Sequence, residues 1–133
     1  MALTVPNVGE VLLLSYSVNK IASGDLKLHL YTAISFAISE DTVIGHLTEA
    51  NAAGYGIITL TGSDWTVASV GSVSTATHVE KTFTFTAAST NLGYYVTDAA
   101  NTGLLWIEVF SDSPHTIPAD GGTEKITLKL IGE

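Results

Sequence analysis

Apolar and polar positions along this chain follow mainly the period of short β-strands. From Leu26 to Tyr31 they alternate strictly, Leu26, Leu28 and Leu30 against Lys27, His29 and Tyr31. That pattern predicts a half-buried antiparallel strand. Two aromatic and β-branched runs, Leu92–Thr97 and Leu104–Phe110, flank the polar segment Asp98–Gly103 and predict a β-hairpin. Its return strand is apolar at almost every position except Glu108, so it should be covered on both faces and lie at the centre of the fold. Further strands are expected over Ile57–Thr61, from Trp65 onward, as one long run over Ala76–Ala87, and over Glu124–Ile131 with Ile126, Leu128 and Leu130 inward. Val70–Thr75, rich in Gly, Ser and Thr, reads as a turn region. Thr116-Ile117-Pro118 reads as an edge segment, because Pro cannot donate to a ladder.

One stretch has helical spacing. Asn7 followed by Glu10 resembles a capping box, and Val11–Val18 then reads as two to three helical turns with Val8, Val11, Leu12, Ser15 and Val18 on one face and Leu13 and Leu14 partly outside it, although Leu14–Val18 alone also alternates like a strand. Met1–Pro6 is uncharged and reads as an extended arm. Together these elements predict a mainly β fold: an antiparallel β-sandwich or jelly-roll-like single domain over residues 1–133, with one short N-terminal helix.

Composition narrows the function classes. Five Lys+Arg against 13 Asp+Glu give a formal charge of -8, a field that repels phosphate backbones, so nucleic acid is not expected as a ligand. No apolar run approaches the roughly 18–20 residues of a membrane-spanning helix, and the N-terminus has no basic region leading into a long apolar core. The expectation is a soluble protein made in the cytoplasm, without membrane contact. With no cysteine, thiolate chemistry and disulfides are ruled out. Charged residues are only 14%, against roughly 25% in an average domain, and mean hydropathy is positive at +0.36, an excess that the core can absorb in large part and whose remainder points to oligomerisation or docking on a larger body.

The chemistry-bearing residues form no recognisable constellation. His29, His46, His78 and His115 are widely spaced with no ligand pair, and Asp98, Asp112, Asp120 and Glu40-Asp41 match no calcium loop, so neither a metal nor a cofactor is expected. A hydrolase would need paired carboxylates around Glu108 or Glu49. No nucleophile elbow or phosphate loop accompanies them, and the chain is read as a non-enzyme. Trp65, Tyr94, Tyr95, Trp106 and Phe110 are read as core, with a sugar-stacking platform as the alternative.

Several stretches in order carry a resemblance: Val5-Pro6-Asn7-Val8-Gly9-Glu10, Leu26–Tyr31, Thr48-Glu49-Ala50, Thr59–Trp65, Gly93–Thr97 with Leu105-Trp106, and Pro114–Pro118. Taken together, the chain resembles small virion structural proteins of tailed bacteriophages, notably cyanophage-like and marine viral ones. That resemblance implies a capsid decoration (cement) protein, found in the virion after synthesis in the host cytoplasm. It would bind the major capsid protein on the outside of the head shell as a homo-oligomer, with a trimer favoured. The contact with shell or neighbour is expected from the arm and helix, at Leu3, Val5, Pro6, Val8, Leu12 and Leu13. The alternative is a tail or fibre module that recognises a host-surface glycan.

Overall fold

A computed structural model describes residues 3–132. It is mainly β, with one α-helix and twelve strands, all paired antiparallel. Helix α1 (Asn7–Ser17) precedes β1 (Leu26–Ile34), β2 (Leu47–Glu49), β3 (Ile58–Leu60), β4 (Trp65–Val70), β5 (Val73–His78) and β6 (Lys81–Phe85). The chain continues through β7 (Ser89–Asn91), β8 (Gly93–Thr97), β9 (Leu104–Val109), β10 (His115–Ile117), β11 (Gly122–Ile126) and β12 (Lys129–Gly132).

The largest sheet runs β2-β1-β8-β9, and β3 joins the free edge of β1 at the end opposite β2. The remaining strands form two ribbons, β10-β7 and β11-β6, and a three-stranded blade, β12-β5-β4. One face of the large sheet presents Leu28, Leu30, Tyr94, Val96 and Trp106. These pack with Phe83, Phe85, Ile117, Ile126 and Leu128 into a sandwich-like main core. The opposite face carries Tyr31, Tyr95, Leu104 and Ile107, a second cluster covered by Val8, Ile34, Ile38, Ile44 and Leu47.

The hairpin of β8 and β9 does lie at the middle, but β8 is the central strand. It sits between β1 and β9 and is buried at every position. β9 is covered at its outer edge instead, where Thr4 and Ile107 exchange two backbone hydrogen bonds of 3.0 Å and α1 docks alongside. β1 departs from the half-buried expectation. His29 and Tyr31, on its supposedly open face, are as buried as Leu28 and Leu30, because Tyr95 stacks on His29 and the second cluster, with Ile38 and Ile44 of loop 35–46, encloses Tyr31.

Helix α1 departs from its sequence pattern in two ways. It is capped by Pro6, with no side-chain cap; the Asn7 amide donates to the Glu40 carbonyl at 2.8 Å and its side chain reaches Asp41. Its buried face is Val8, Gly9, Leu12, Leu13 and Tyr16, while Val11, Leu14 and Val18 face outward. Gly9 sets this rotation. A Cβ there would lie 2.1 Å from the Leu105 carbonyl oxygen, so only a residue without one lets the helix approach the β9 backbone this closely.

Two further segments correct the sequence pattern. The expected turn region 70–75 is a hairpin whose loop is only Gly71-Ser72, with Val70 paired to Val73. Gly71 has φ +64°, the positive value that the first central position of a type II′ turn requires. The expected long strand over 76–87 is broken at Val79-Glu80, where the chain leaves the blade to pair with β11 instead. His78 marks the break: it is buried, its Nδ1 donates to the Val79 carbonyl at 2.9 Å, and Trp65 packs edge-on against its ring.

Candidate functional site

Three places bring chemistry-bearing or partner-ready residues together. The first is buried at His29 and Thr97 and half-buried at Glu49, on the face of β1 and β8 away from the main core. His29 stacks flat on Tyr95, with ring centroids 4.5 Å apart. Its Nδ1 is 2.8 Å from Glu49 Oε2 and its Nε2 is 2.8 Å from Thr97 Oγ1. The Tyr55 hydroxyl donates to the same Glu49 oxygen at 2.7 Å. With His29 neutral, Nδ1–H donates to Glu49 and Nε2 accepts the Thr97 proton. With His29 charged, Nε2–H donates to Thr97, whose proton then goes to Asn101 Oδ1 or the Asp98 carbonyl, at 3.1 and 3.2 Å.

The order hydroxyl, imidazole, carboxylate is that of a hydrolytic triad. Here the hydroxyl end of that order is closed to solvent. Thr97 is buried, and its oxygen is enclosed by His29, Asp98 and Asn101, which leaves no approach for a substrate carbonyl. The network fastens β2 and the Tyr55 loop to the central strands. Burial first, then the hydrogen bond to Glu49, pushes the Tyr55 hydroxyl well above its ordinary range, so it remains a donor.

The second place is an open cleft of about 280 Å³ lined by Tyr94, Glu108, Phe110, Asp112, His115 and Lys125. Glu108 is half-buried and accepts from the Tyr94 hydroxyl at 2.6 Å. Burial, followed by the hydrogen bond to Glu108 and its charge, pushes Tyr94 up strongly; Tyr31 rises to about 12, chiefly by burial with a smaller contribution from Glu108. At the mouth, His115 is hydrogen-bonded between Asp112 and Glu124 and stacked on Phe110 at 4.1 Å. Partial burial works against its charged form, but the two carboxylates outweigh it and hold the imidazole above its ordinary 6.5. Asp112 is held below the usual carboxylate range, first by the hydrogen bond from His115.

Of the aromatic residues considered from sequence, Tyr94 and Phe110 line this cleft. Tyr94, Tyr95 and Trp106 are buried, and Phe110 has His115 against one face. Trp65 packs edge-on against Trp106 and His78. Among the described residues no group of three or more His, Asp or Glu is placed to hold a metal ion.

The third place is the surface around α1 and the blade. Of the residues expected to meet a partner, Leu3, Val5, Leu12 and Leu13 are half-buried against the main core, Val8 packs on the second cluster, and Pro6 is buried. All six thus pack at least partly against the domain's own interior, while Val5 and Leu13 also line an open groove. Residues 3–6 are extended but lie along the domain, and Met1 and Ala2 lie outside the described residues. What faces outward instead is the other side of the same helix, with Val11, Leu14 and Val18 at 64%, 66% and 73% exposure. The blade adds Val67, Val70 and Ile131, and it meets Val5 and Leu13 along an apolar groove of about 360 Å³.

The sequence pattern places Leu14 partly outside the inner face of the helix but turns Val11 and Val18 inward, and it gives the blade no outward surface, although each surface left a signal. Val11, Leu14 and Val18 recur at helical spacing, and Gly71-Ser72 between Val70 and Val73 is a two-residue hairpin signature. No protein family and no curated protein matches the chain by sequence.

Proposed function

We propose that the chain is a structural virion protein, a decoration (cement) subunit that attaches in many copies to the outside of a phage head shell and stabilises it. The observation that carries this reading is the apolar stripe Val11, Leu14 and Val18 on a helix whose opposite face is already docked. A helix held on one side and apolar on the other presents a firm surface that a partner completes. The major capsid protein is the proposed partner, on the strength of the resemblance to virion structural proteins. Repetition over a shell lets a modest contact act through effective concentration. The closed polar network around His29 supports a scaffold in place of catalysis.

The test adds purified chain to heads lacking it and measures occupancy by electron microscopy. Wild-type density on the shell, lost in the double variant Val11→Glu with Leu14→Glu while circular dichroism is unchanged, is the expected result. Full occupancy by the double variant, or wild-type density only on the tail, would overturn the reading.

A second reading, recognition of a host-surface glycan, draws on the open cleft, where Glu108, Asp112 and Lys125 offer hydrogen-bonding groups to hydroxyls. Glycan-array binding that disappears with Asp112→Ala would favour it over the first.

A further inference from the structure

Every sheet edge exposes unpaired backbone N–H and C=O groups, and stable proteins guard such edges by shortness, charge, proline, bulges or a covering segment. Among the described residues the edges of this domain are guarded with one exception. β2, β3, β7 and β10 are each three residues long, with Pro118 directly following β10. β9 is covered by Thr4 and α1. β6 carries Lys81, β11 carries Glu124 and Lys125, and β12 is four residues long and begins with Lys129.

β4 has none of these protections. It is six residues long, pairs with β5 in an unbroken register, and is exposed from Thr66 to Val70. From Trp65 to Thr77 the chain has no ionisable side chain, although the whole carries a charge of -8. Two copies of so acidic a chain repel each other, and along this run no side-chain charge adds to that repulsion.

The hairpin fixes which backbone groups point outward. Its two-residue loop makes Val70 and Val73 a hydrogen-bonded pair, so alternation directs Thr66 and Ala68 toward β5, and Val67 and Ser69 toward the free edge. We propose that this edge pairs with the same edge of a second copy, antiparallel about a two-fold axis through Ala68. Val67 then exchanges both backbone hydrogen bonds with Ser69 of the second copy, and Ser69 with its Val67. Ala68 faces its own counterpart in the non-hydrogen-bonded position, where Cα atoms approach to about 4.5 Å and a small side chain fits. Two three-stranded blades become one six-stranded sheet. Self-pairing is favoured over a ring because a ring needs a second, different free edge to receive β4, and the others are short, charged or covered. This goes beyond attachment to a shell, which uses the outer face of α1.

The experiment measures the solution mass of the full chain, wild type and Ala68→Glu, by light scattering across a concentration series. The wild type is expected at about twice the 13.9 kDa chain mass at high concentration. Ala68→Glu, which sets two carboxylates face to face on the axis, is expected at the single-chain mass, with the melting temperature that the wild type shows at dilutions where it too is a single chain. Because the chain has no cysteine, Ala68→Cys supplies a second readout that does not depend on weakening the pair. Mild oxidation should link it into covalent dimers, and the same treatment of Val79→Cys, exposed but away from the edge, should not. A monomeric or trimeric wild type, a dimer that survives Ala68→Glu, or equal cross-linking at positions 68 and 79 would overturn the proposal.

Discussion

β8 and β4 are both rich in β-branched and aromatic residues, and each is hydrogen-bonded into an antiparallel sheet. Yet β8 is buried at all five positions, whereas β4 is exposed at five of six. Composition does not separate them. The difference is in what surrounds them: β8 has a strand on each side and apolar clusters on both faces, while β4 has a single neighbour and leaves the core after Trp65. Burial here is a property of position in the assembly of sheets, and the same kind of strand serves as core in one place and as a surface awaiting a partner in another.

Substitutions should expose that contrast. Trp106→Ala on β9, beside the central strand, should cost about 3–5 kcal/mol by denaturant unfolding, because a large buried ring leaves a cavity among Leu28, Val96 and Leu105. Gly9→Val should cost about 1–3 kcal/mol by the same measurement, since its side chain would meet the Leu105 carbonyl, backbone that cannot turn aside. An unchanged midpoint would mean that α1 is not seated on β9 as described.

Thr97→Val should also cost about 1–3 kcal/mol, a loss set by the partner it leaves behind: His29 Nε2 would remain buried without its hydroxyl.

Smaller again is the pH dependence at the cleft mouth. Because the folded pKa of His115 is raised, its contribution to stability is fully present below about 6.5 and lost as pH rises through the folded value. Asp112 has the opposite sign: its contribution is present above its ordinary value and lost as pH falls through the lowered one. The difference in melting temperature between wild type and His115→Gln should therefore be larger at pH 6 than at pH 9, and proton NMR should place the His115 midpoint above 6.5. Smallest of all is Val70→Ala at the tip of the blade, expected within about 0.5 kcal/mol because that side chain is 82% exposed. A loss as large as that of Trp106→Ala would show the blade to be buried in solution.

The regular elements were legible wherever local pattern and environment agree. Glu124–Ile131 alternates as read, with Ile126 and Leu128 buried and Lys125, Thr127 and Lys129 exposed, although the strand is interrupted into β11 and β12. The β8–β9 hairpin turns through Asp98, whose carboxylate accepts from the Thr102 and Gly103 amides, as turn aspartates do. Reading failed where a distant segment decides. Leu13 is inward and Val11 outward because Gly9 rotates α1 onto β9, a contact nearly a hundred residues away in sequence. His29, an alternating polar position, is buried because Glu49 and Thr97 supply its hydrogen bonds and Tyr55 holds Glu49 in place, from three other segments. No window of the chain contains those four residues together.

By itself the sequence determined a mainly β, antiparallel domain with one short N-terminal helix, because hydrophobic period and turn residues act over a few positions. It also determined an acidic chain without thiols. Tertiary structure alone decided which strand is central, which helix face is free, and that the uncharged run from Trp65 to Thr77 stands out as a blade with an unguarded edge. The physical reason is the same in each case. Local pattern records which residues can be buried, whereas the packing of segments far apart in sequence selects which of them are.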